Sequence, residues 1–424
     1  MNKHKAVIGC QWGDEGKGKI VDLLAAGADI IARFQGGANA GHTIRVGDKK
    51  YVLHLIPSGI IHPDKICFIG NGVVLDPFTF KEELQLLENE GIDYQGRLFI
   101  SPATNLVLPY HKLIDAVDEG NRGTTSIGTT MRGIGPAYID KVARHGIRLV
   151  DIFNPERLRR RLEFNRTMKA RYLDGSTDER ADLERTFNDL QAMAPMFRPM
   201  MVDVSRRLYE ANKEGKVILY EGAQGCMLDV DLGTYPFATS SNTTVGGVLT
   251  GLGVGPKMVG EVVGVIKAYT TRVGSGPFPT ELVDDIGEKI RLLGDEYGAT
   301  TGRPRRCGWL DLVALRHAVR INGVDSIAVT KLDVLDELAE IKVCVAYKLN
   351  GDIFSEVPLD LAELSHVQPI YKTLPGWQAD TTGTTEFGNL PQKARDYLKF
   401  ICEDLGVSIC LVSTGARREE TIRI

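Results

Sequence analysis

Short apolar runs alternate with amphipathic segments along most of the chain, and these runs are the first guide to its fold. Nine of them predict β-strands at residues 5–9, 30–34, 66–69, 98–100, 217–220, 262–267, 326–330, 343–347 and 408–412. The run at 262–266 has no polar side chain, which is typical of a strand buried on both faces of a parallel sheet. Residues 46–51 predict a small hairpin.

Segments with helical spacing separate many of these runs. They cover residues 77–90, 155–171, 177–191, 311–321 and 391–404. Residues 154–214 are charged and helical without a strand-like run, which predicts an inserted helical subdomain. We therefore expect an α/β fold, with a large, mostly parallel central sheet flanked by helices. We expect one domain over residues 1–424, with the helical subdomain at about 154–214.

Composition and charge narrow the classes of function. The 424 residues are 43% hydrophobic and 25% charged, as in ordinary globular proteins. The net charge of −4 gives no electrostatic basis for binding nucleic acid. No apolar run approaches the length of a bilayer span, and we expect no signal peptide. The seven scattered cysteines include no C-x-x-C pair, which favours reduced thiols in a cytoplasmic protein.

A glycine-rich loop after the first predicted strand carries the strongest chemical signal. Residues 13–19 match Gly-x-x-x-x-Gly-Lys between a strand and a helix, the context of a phosphate-binding loop in a P-loop-NTPase-like fold. Ile20 replaces the usual hydroxyl residue that contacts magnesium, and the Asp14 carboxylate lies inside the loop. A negative charge built into an anion site suggests a metal ion or a proton to be moved. A glycine-rich turn without a ligand is the alternative.

Residues 330–333, Thr-Lys-Leu-Asp, follow another predicted strand and match the guanine-binding motif of GTP-binding proteins. The Asp333 carboxylate can accept hydrogen bonds from N1–H and the 2-amino group of guanine, a donor pair that adenine lacks. The stem of Lys331 can cover the base. Residues 413–415 follow the strand at 408–412, where backbone amides can face a ligand. Taken alone, either segment could be an ordinary exposed turn.

Other polar segments add candidate groups. Residues 35–43 place one imidazole, His42, among small residues after a strand, which makes it the best general-acid candidate among the eight histidines. Residues 298–306 combine hydroxyls, glycine and three guanidiniums, a set that suits carboxylate or phosphate, although a solvated basic loop is the alternative. Two more polar, glycine-rich loops match no generic motif: residues 126–136, and residues 221–225 taken together with 238–242.

Together these motifs resemble the adenylosuccinate synthetase family, the ligases that join IMP to aspartate at the expense of GTP. The matching stretches occur in the family's order along nearly the whole chain, at residues 11–19, 39–43, 133–138, 221–225, 239–242, 300–303 and 330–333. Several of them are long and specific to the family. The resemblance implies a homodimer in which Arg144 reaches the IMP site of the partner subunit, with no membrane partner.

The resemblance also implies a mechanism. Asp14 is expected to take the N1 proton of IMP, so that the 6-oxygen attacks the γ-phosphate of GTP and gives 6-phosphoryl-IMP. The amine of aspartate then displaces phosphate, and His42 stabilises charge on the phosphates. One Mg²⁺ per subunit is expected on Asp14 and the Gly41 carbonyl, which explains why Ile20 can replace a hydroxyl residue.

The family pattern carries over to individual positions of this sequence. The catalytic residues that it implies are Asp14, Lys17, His42 and Gln224. The implied GTP contacts are Gly13, Asp14, Glu15, Gly16, Lys17, Gly18, Lys19, Gly41, His42, Thr43, Arg305, Lys331, Leu332, Asp333, Ser413, Thr414 and Gly415. The implied IMP contacts are Asp14, Glu15, Gly16, Lys17, Asn39, Ala40, Gly41, His42, Thr130, Arg144, Gln224, Thr239 and Arg303. The implied aspartate contacts are Ala299, Thr300, Thr301, Gly302, Arg303, Pro304 and Arg305.

Two positions depart from the family pattern. Met131 stands where glycine is common, and Pro304 interrupts an arginine run. Both are expected to alter loop dynamics and substrate affinity rather than to remove a catalytic group. Two other functions stay open from the sequence. A regulatory GTPase would hydrolyse GTP without IMP or aspartate, and a GTP-binding scaffold would bind nucleotide without turnover.

Overall fold

A nine-stranded sheet forms the centre of the computed structural model, which describes residues 3–47, 49–298 and 302–424. Its strand order is β19-β18-β14-β10-β1-β9-β2-β5-β7, and only β19 is antiparallel to its neighbour among these described strands. The strands are β1 Lys5–Gly9, β2 Ile30–Arg33, β3 His42–Val46, β4 Lys49–Leu53, β5 Ile66–Ile69, β6 Val74–Leu75, β7 Leu98–Ile100, β8 Asn105–Leu106, β9 Ile218–Glu221, β10 Glu261–Lys267, β11 Thr270–Arg272, β12 Arg306–Gly308, β13 Leu310–Asp311, β14 Ser326–Thr330, β15 Glu340–Leu349, β16 Asp352–Phe354, β17 Gln368–Pro375, β18 Ser408–Ser413 and β19 Thr421–Arg423.

Helices cover both faces of this sheet. They are α1 Lys17–Ala25, α2 Pro77–Asn89, α3 Pro109–Asn121, α4 Ile134–Ala143, α5 Pro155–Met168, α6 Ala170–Leu173, α7 Leu183–Phe197, α8 Val204–Lys213, α9 Gly246–Leu252, α10 Asp285–Leu293, α11 Leu312–Asn322 and α12 Gln392–Leu405. In β1, Ala6 and Ile8 belong to the apolar cluster that includes α11 and α12, whereas Val7 belongs to the cluster that includes α1 and α2. The sheet is therefore buried on both faces, as its apolar runs predict.

The predicted α/β fold class is confirmed, and eight of the nine predicted strands lie in the central sheet. The ninth, at 343–347, lies instead in β15 of a four-stranded sheet with β13, β16 and β17. The hairpin predicted at 46–51 is longer than expected, because β3 pairs with β4 from His42 to Leu53. Residue 48 lies outside the described residues.

Residues 154–214 all lie within the described part of the chain. They contain α5 to α8 and no strand, as predicted. The helix predicted at 155–171 is broken at Lys169, which has a φ of −115°. The helix predicted at 177–191 begins only at Leu183, because the Asp182 side chain accepts a hydrogen bond from the Arg185 amide and caps it there.

The carboxyl ends of the parallel strands define one edge of the sheet. The loops that follow β1, β2, β9, β14 and β18 begin at this edge, and all five contain residues implied in ligand binding. This is the position at which open α/β sheets bind ligands. None of the helices in the described ranges combines the length and the apolar character needed to cross a membrane.

Candidate functional site

The loop between β1 and α1 turns tightly through left-handed backbone positions. Gly13, Asp14 and Gly16 have φ values of 88°, 58° and 86°. Glycine adopts this region without steric cost, and aspartate tolerates it better than most residues. Gly18 in the first turn of α1 allows a close approach to β3, because a Cβ there would lie 2.9 Å from the Thr43 carbonyl oxygen.

Glu15 organises this loop from within. Its Oε1 accepts hydrogen bonds from the Gln11 and Gly13 amides, each at 3.0 Å, and its Oε2 accepts one from Lys17 Nζ at 2.5 Å. The Glu15 side chain is fully buried, and Lys17 is 4% exposed. The Glu15 carboxylate is therefore committed to the loop, so any contact of Glu15 with a ligand would have to come from its backbone.

Asp14 faces the arginine-rich segment instead. Its carboxylate is partly exposed, and Oδ2 accepts a hydrogen bond from Arg305 Nε at 3.0 Å. Burial opposes the charge of Arg305, but the carboxylates of Asp14 and Glu296 raise its pKa above the ordinary value. Before Arg305, the Gly298 amide donates to the Arg303 carbonyl at 2.8 Å. Gly302, Arg303 and Pro304 are exposed, and Ala299, Thr300 and Thr301 lie outside the described residues.

His42 begins β3 and lies against the end of β9. Its Nδ1 contacts Oε1 of Glu221, which is fully buried and also accepts hydrogen bonds from the Ser58 hydroxyl at 2.7 Å and the Ser58 amide at 2.8 Å. Burial alone would raise the pKa of Glu221, but His42 and Arg33 lower it below the ordinary value. The second ring nitrogen, Nε2, is buried and has no hydrogen-bond partner among the described residues.

Gln224 follows the same strand and lies beside the 36–42 segment. Its backbone is left-handed, with a φ of 55°, and both polar atoms of its side-chain amide are buried without partners in the described part of the chain. A Cβ at Gly36 would lie 3.1 Å from Gln224 Oε1. Within the segment, the Ala40 carbonyl accepts a hydrogen bond from His54 Nδ1 at 2.6 Å. Two of the four implied catalytic residues therefore have unsatisfied polar atoms at this edge of the sheet.

The residues implied in guanine binding come together at the ends of β14 and β18. The Leu332 amide donates to the Ser413 carbonyl at 3.3 Å. Asp333 Oδ1 is buried and lacks a hydrogen-bond partner among the described residues, and burial raises the pKa of this carboxyl group. Lys331 is left-handed, with a φ of 61°, and its Nζ donates to the Gly294 carbonyl at 2.6 Å.

Lys19 supports this end of the site. Its Nζ donates to Ser413 Oγ at 2.8 Å and to the carbonyls of Gly415 and Glu420, each at 2.9 Å. Burial lowers the pKa of Lys19 to about 8, although Glu420 and Asp333 oppose that shift. In this arrangement the lysine of the Gly-Lys pair holds the loop after β18.

Three more of the implied residues are at least partly exposed. Thr130 and Arg144 are exposed, and Thr239 is half-buried, with its amide donating to the Leu228 carbonyl at 2.8 Å. Met131 has a φ of 54°, a conformation that glycine adopts more easily. Its side chain is exposed.

Several residues that organise the site have no sequence signal of their own. Glu221 lies in the segment at 221–225, but its contact with His42 joins residues that are 179 positions apart in the sequence. Glu296 contacts Arg305 Nη1 at 2.7 Å and belongs to no motif. Glu119 holds the loop at 126–129 through the amides of Gly128 and Thr129, at 2.5 and 3.1 Å. Tertiary pairing alone reveals these roles.

Comparisons with known proteins identify the family. Residues 6–422 match the family model described as adenylosuccinate synthetase. Adenylosuccinate synthetases from Heliobacterium modesticaldum and Stenotrophomonas maltophilia are each 51% identical to the chain, over 419 and 426 residues. These matches cover 99% and 100% of this chain and 98% of each relative.

Solved structures show the same relationship. The structure of fully ligated adenylosuccinate synthetase from Plasmodium falciparum matches with a TM-score of 0.94 and 41% identity, covering 100% of both chains. A cyanophage S-2L succinoaminodeoxyadenylate synthetase bound to dGMP and dATP shares the fold, with a TM-score of 0.63 and 20% identity over 100% of this chain and 95% of that one. The chain therefore belongs to the adenylosuccinate synthetase family and is a GTP-dependent ligase that forms adenylosuccinate from IMP and L-aspartate in the synthesis of AMP.

Proposed function

We propose that the loops at the carboxyl edge of the sheet form the active site and that Asp14, Lys17, His42 and Gln224 carry the reaction. One observation supports this proposal above the others. His42 Nε2, the Gln224 amide and Asp333 Oδ1 are buried polar atoms without hydrogen-bond partners among the described residues. Leaving such atoms unpaired costs about 1–3 kcal/mol each. Bound substrates would supply the missing partners.

The proposed reaction has two steps. Asp14 accepts the N1 proton of IMP, and the 6-oxygen attacks the γ-phosphorus of GTP, releasing GDP and forming 6-phosphoryl-IMP. The amine of L-aspartate then attacks C6, and phosphate leaves with the 6-oxygen. His42, held by Glu221, donates from Nε2 to phosphoryl oxygens, and Gln224 and Lys17 hold the reacting groups. The GTP, IMP and aspartate contacts implied by the sequence remain proposals at the positions named above.

Magnesium belongs to the same proposal, because the family requires it. We assign one Mg²⁺ per subunit to the Asp14 carboxylate and the Gly41 carbonyl. When bound, the ion neutralises charge on the nucleotide phosphates. No cluster of three or more His, Cys, Asp or Glu side chains suited to a metal exists within residues 3–47, 49–298 and 302–424. A site with one carboxylate fits Mg²⁺, which usually binds through one or two carboxylates, water and phosphates.

Replacing Asp333 by Asn tests the guanine assignment. The amide can no longer accept from both N1–H and the 2-amino group, so the KM for GTP is expected to rise about 100-fold. Xanthosine triphosphate carries a carbonyl at C2, to which the introduced side-chain amide can donate, so its use should improve. Initial rates with each nucleotide at saturating IMP and aspartate measure both effects.

Asp336→Asn is the matched control. This nearby carboxylate accepts from the Trp377 indole and from Thr381, and no nucleotide contact is assigned to it. Its KM for GTP should stay within about threefold of the parent value. Unchanged selectivity between GTP and xanthosine triphosphate in Asp333→Asn would refute the guanine assignment.

We also propose that two chains form a homodimer through the surface around Arg144. Four apolar side chains are exposed there: Ile139 and Val142 on α4, and Phe164 and Met168 on α5. The His145 ring packs edge-on against Phe164 at 5.1 Å between centroids, which brings the end of α4 against α5. Exposed apolar side chains grouped around a charged residue are typical of a protein interface. We infer that Arg144, at the exposed end of α4, reaches the second copy.

Mixing two inactive variants tests the shared site. Arg144→Leu lacks the arginine that the partner's site needs, and Asp14→Asn lacks its own base. A mixed dimer contains one site with both groups intact, so a random equimolar mixture should recover about a quarter of the parent activity. Ligation rates after mixing, with the mixed dimer verified by mass, measure the recovery. Failure of verified mixed dimers to recover activity would argue against a shared site.

We further propose that the chain acts as one domain, with residues 154–214 as a helical subdomain, and that it works in the cytoplasm. All seven cysteines are free, and five of them are buried. Free thiols persist in reducing compartments, which supports this location. No contact with nucleic acid or membrane is proposed.

A further inference from the structure

Glu296 is a buried carboxylate that accepts hydrogen bonds from three side chains. Oε1 accepts from Lys267 Nζ at 2.7 Å and from the Tyr269 hydroxyl at 2.5 Å, and Oε2 accepts from Arg305 Nη1 at 2.7 Å. The Glu296 side chain is fully buried, and that of Lys267 is 1% exposed. A carboxylate taken this far from water is tolerated only with such complete pairing. Glu296 is therefore a fixed acceptor.

Arg305 is held differently at its two edges. Nη1 contacts the fully buried Glu296, whereas Nε contacts Asp14, whose side chain is 35% exposed. Solvent screens the second contact more than the first, so the contact with Asp14 is the easier one to exchange. The backbone also holds Arg305 beside Glu296, since the Arg305 amide donates to the Glu296 carbonyl at 2.8 Å.

Neighbouring positive charges keep the Glu296 carboxylate ionised. Burial alone would raise the pKa of Glu296, but the charges of Lys267, Lys331 and Arg305 together lower it to about 2. Glu296 is therefore ionised throughout the neutral range. A guanidinium bound to an ionised, buried carboxylate keeps one orientation.

We propose that Glu296 is a positioning residue for aspartate recognition: it anchors Arg305 so that the guanidinium can exchange Asp14 for a carboxylate of L-aspartate. This role rests on the proposed function, in which Arg305 contacts aspartate and Asp14 contacts IMP and Mg²⁺. A single fixed arginine then links two events. Ligands that engage Asp14 release Arg305, and the released guanidinium meets the incoming aspartate already oriented.

Glu296→Gln tests this role, because it keeps the shape of the side chain and removes its charge. Losing a buried, charge-assisted hydrogen bond to Arg305 should raise the KM for aspartate about 10- to 100-fold. The KM values for IMP and GTP should change by less than about threefold, since neither ligand is assigned to Glu296. Steady-state rates with each substrate varied in turn give the three constants. Calorimetric titration of L-aspartate into enzyme loaded with IMP and a non-hydrolysable GTP analogue checks the loss independently of turnover.

Two further variants control for folding. Glu296→Gln leaves Lys267 buried without its ion pair, so Glu296→Gln/Lys267→Met removes both partners and should melt closer to the parent protein. It should show the same rise in the KM for aspartate. Glu281→Gln is the matched control, because Glu281 contacts the next arginine, Arg306, through Nε at 2.7 Å. It should change the KM for aspartate by less than about threefold.

The outcomes separate the anchor from the function on which it rests. If Arg305→Ala raises the KM for aspartate but Glu296→Gln and the double variant do not, Glu296 is not the anchor, and the proposed function stands. If Arg305→Ala itself leaves aspartate binding unchanged, Arg305 does not contact aspartate, and the proposed function fails at that point. A uniform rise in all three KM values in a folded Glu296→Gln variant would show a structural role and overturn the positioning role.

Discussion

Replacing Asp14 by Asn is expected to abolish ligation while GTP still binds. The substitution removes the proposed proton acceptor for IMP and weakens the proposed magnesium site. General-base catalysis alone contributes about 10²–10⁴-fold, so kcat should fall by about 10³-fold or more. Asparagine tolerates the φ of 58° at this position as aspartate does, so the loop should keep its shape. The absorbance change on formation of adenylosuccinate, with IMP, aspartate, GTP and magnesium all present, measures kcat.

The structure offers a close control for this experiment. Asp295 is an exposed aspartate with a φ of 48°, and its neighbour Glu296 holds Arg305. Asp295→Asn repeats the chemical change in the same kind of backbone conformation, without touching the phosphate loop, and should keep kcat within about twofold.

Binding of a fluorescent guanine nucleotide to Asp14→Asn should persist, because Glu15 and Lys17 still hold the loop from within. Arg305 would also keep its contact with Glu296, so the variant should remain folded. A kcat near the parent value in Asp14→Asn would remove Asp14 from the role of base.

The sheet was predictable because its strands carry their own signal. β1, β5, β7 and β14 have the bounds predicted from sequence, since each contains an apolar run with a polar or glycine residue at or next to its end. β19 was not predicted. It is three residues long at the edge of the sheet, and its pairing with β18 rather than its composition makes it a strand.

Candidate site residues can be predicted from the sequence where a short loop contains them. Contacts between residues far apart in the sequence cannot be predicted in this way. Asp14, His42 and Asp333 follow from short segments placed at strand ends. The contact between Arg305 and Asp14 joins residues 291 positions apart, and no spacing rule indicates it. Lys19 shows the same limit. Its sequence context suggests phosphate binding, but its ammonium group is bound to the loop after β18.

His42 and Glu221 should behave as one catalytic unit. In the proposed mechanism Nε2 of His42 donates to phosphoryl oxygens, and the ionised Glu221 at Nδ1 fixes the ring and favours a proton there. His42→Asn should therefore lower kcat by about 10²–10³-fold, because it removes a preorganised donor. Glu221→Gln should lower kcat by about 100-fold through loss of the ring's orientation. Single-turnover rates of 6-phosphoryl transfer measure both losses at the step where His42 acts.

The double variant decides whether Glu221 acts through His42. If it does, His42→Asn/Glu221→Gln should be no slower than His42→Asn by more than about threefold, since residues that act as a unit are not additive. Losses that multiply would show that Glu221 acts independently of the imidazole. Ser58→Ala is the control for packing, because it removes one hydroxyl donor from Glu221 but leaves the Ser58 amide in place. A small loss in Ser58→Ala beside a large one in Glu221→Gln would assign the effect to the contact with the imidazole.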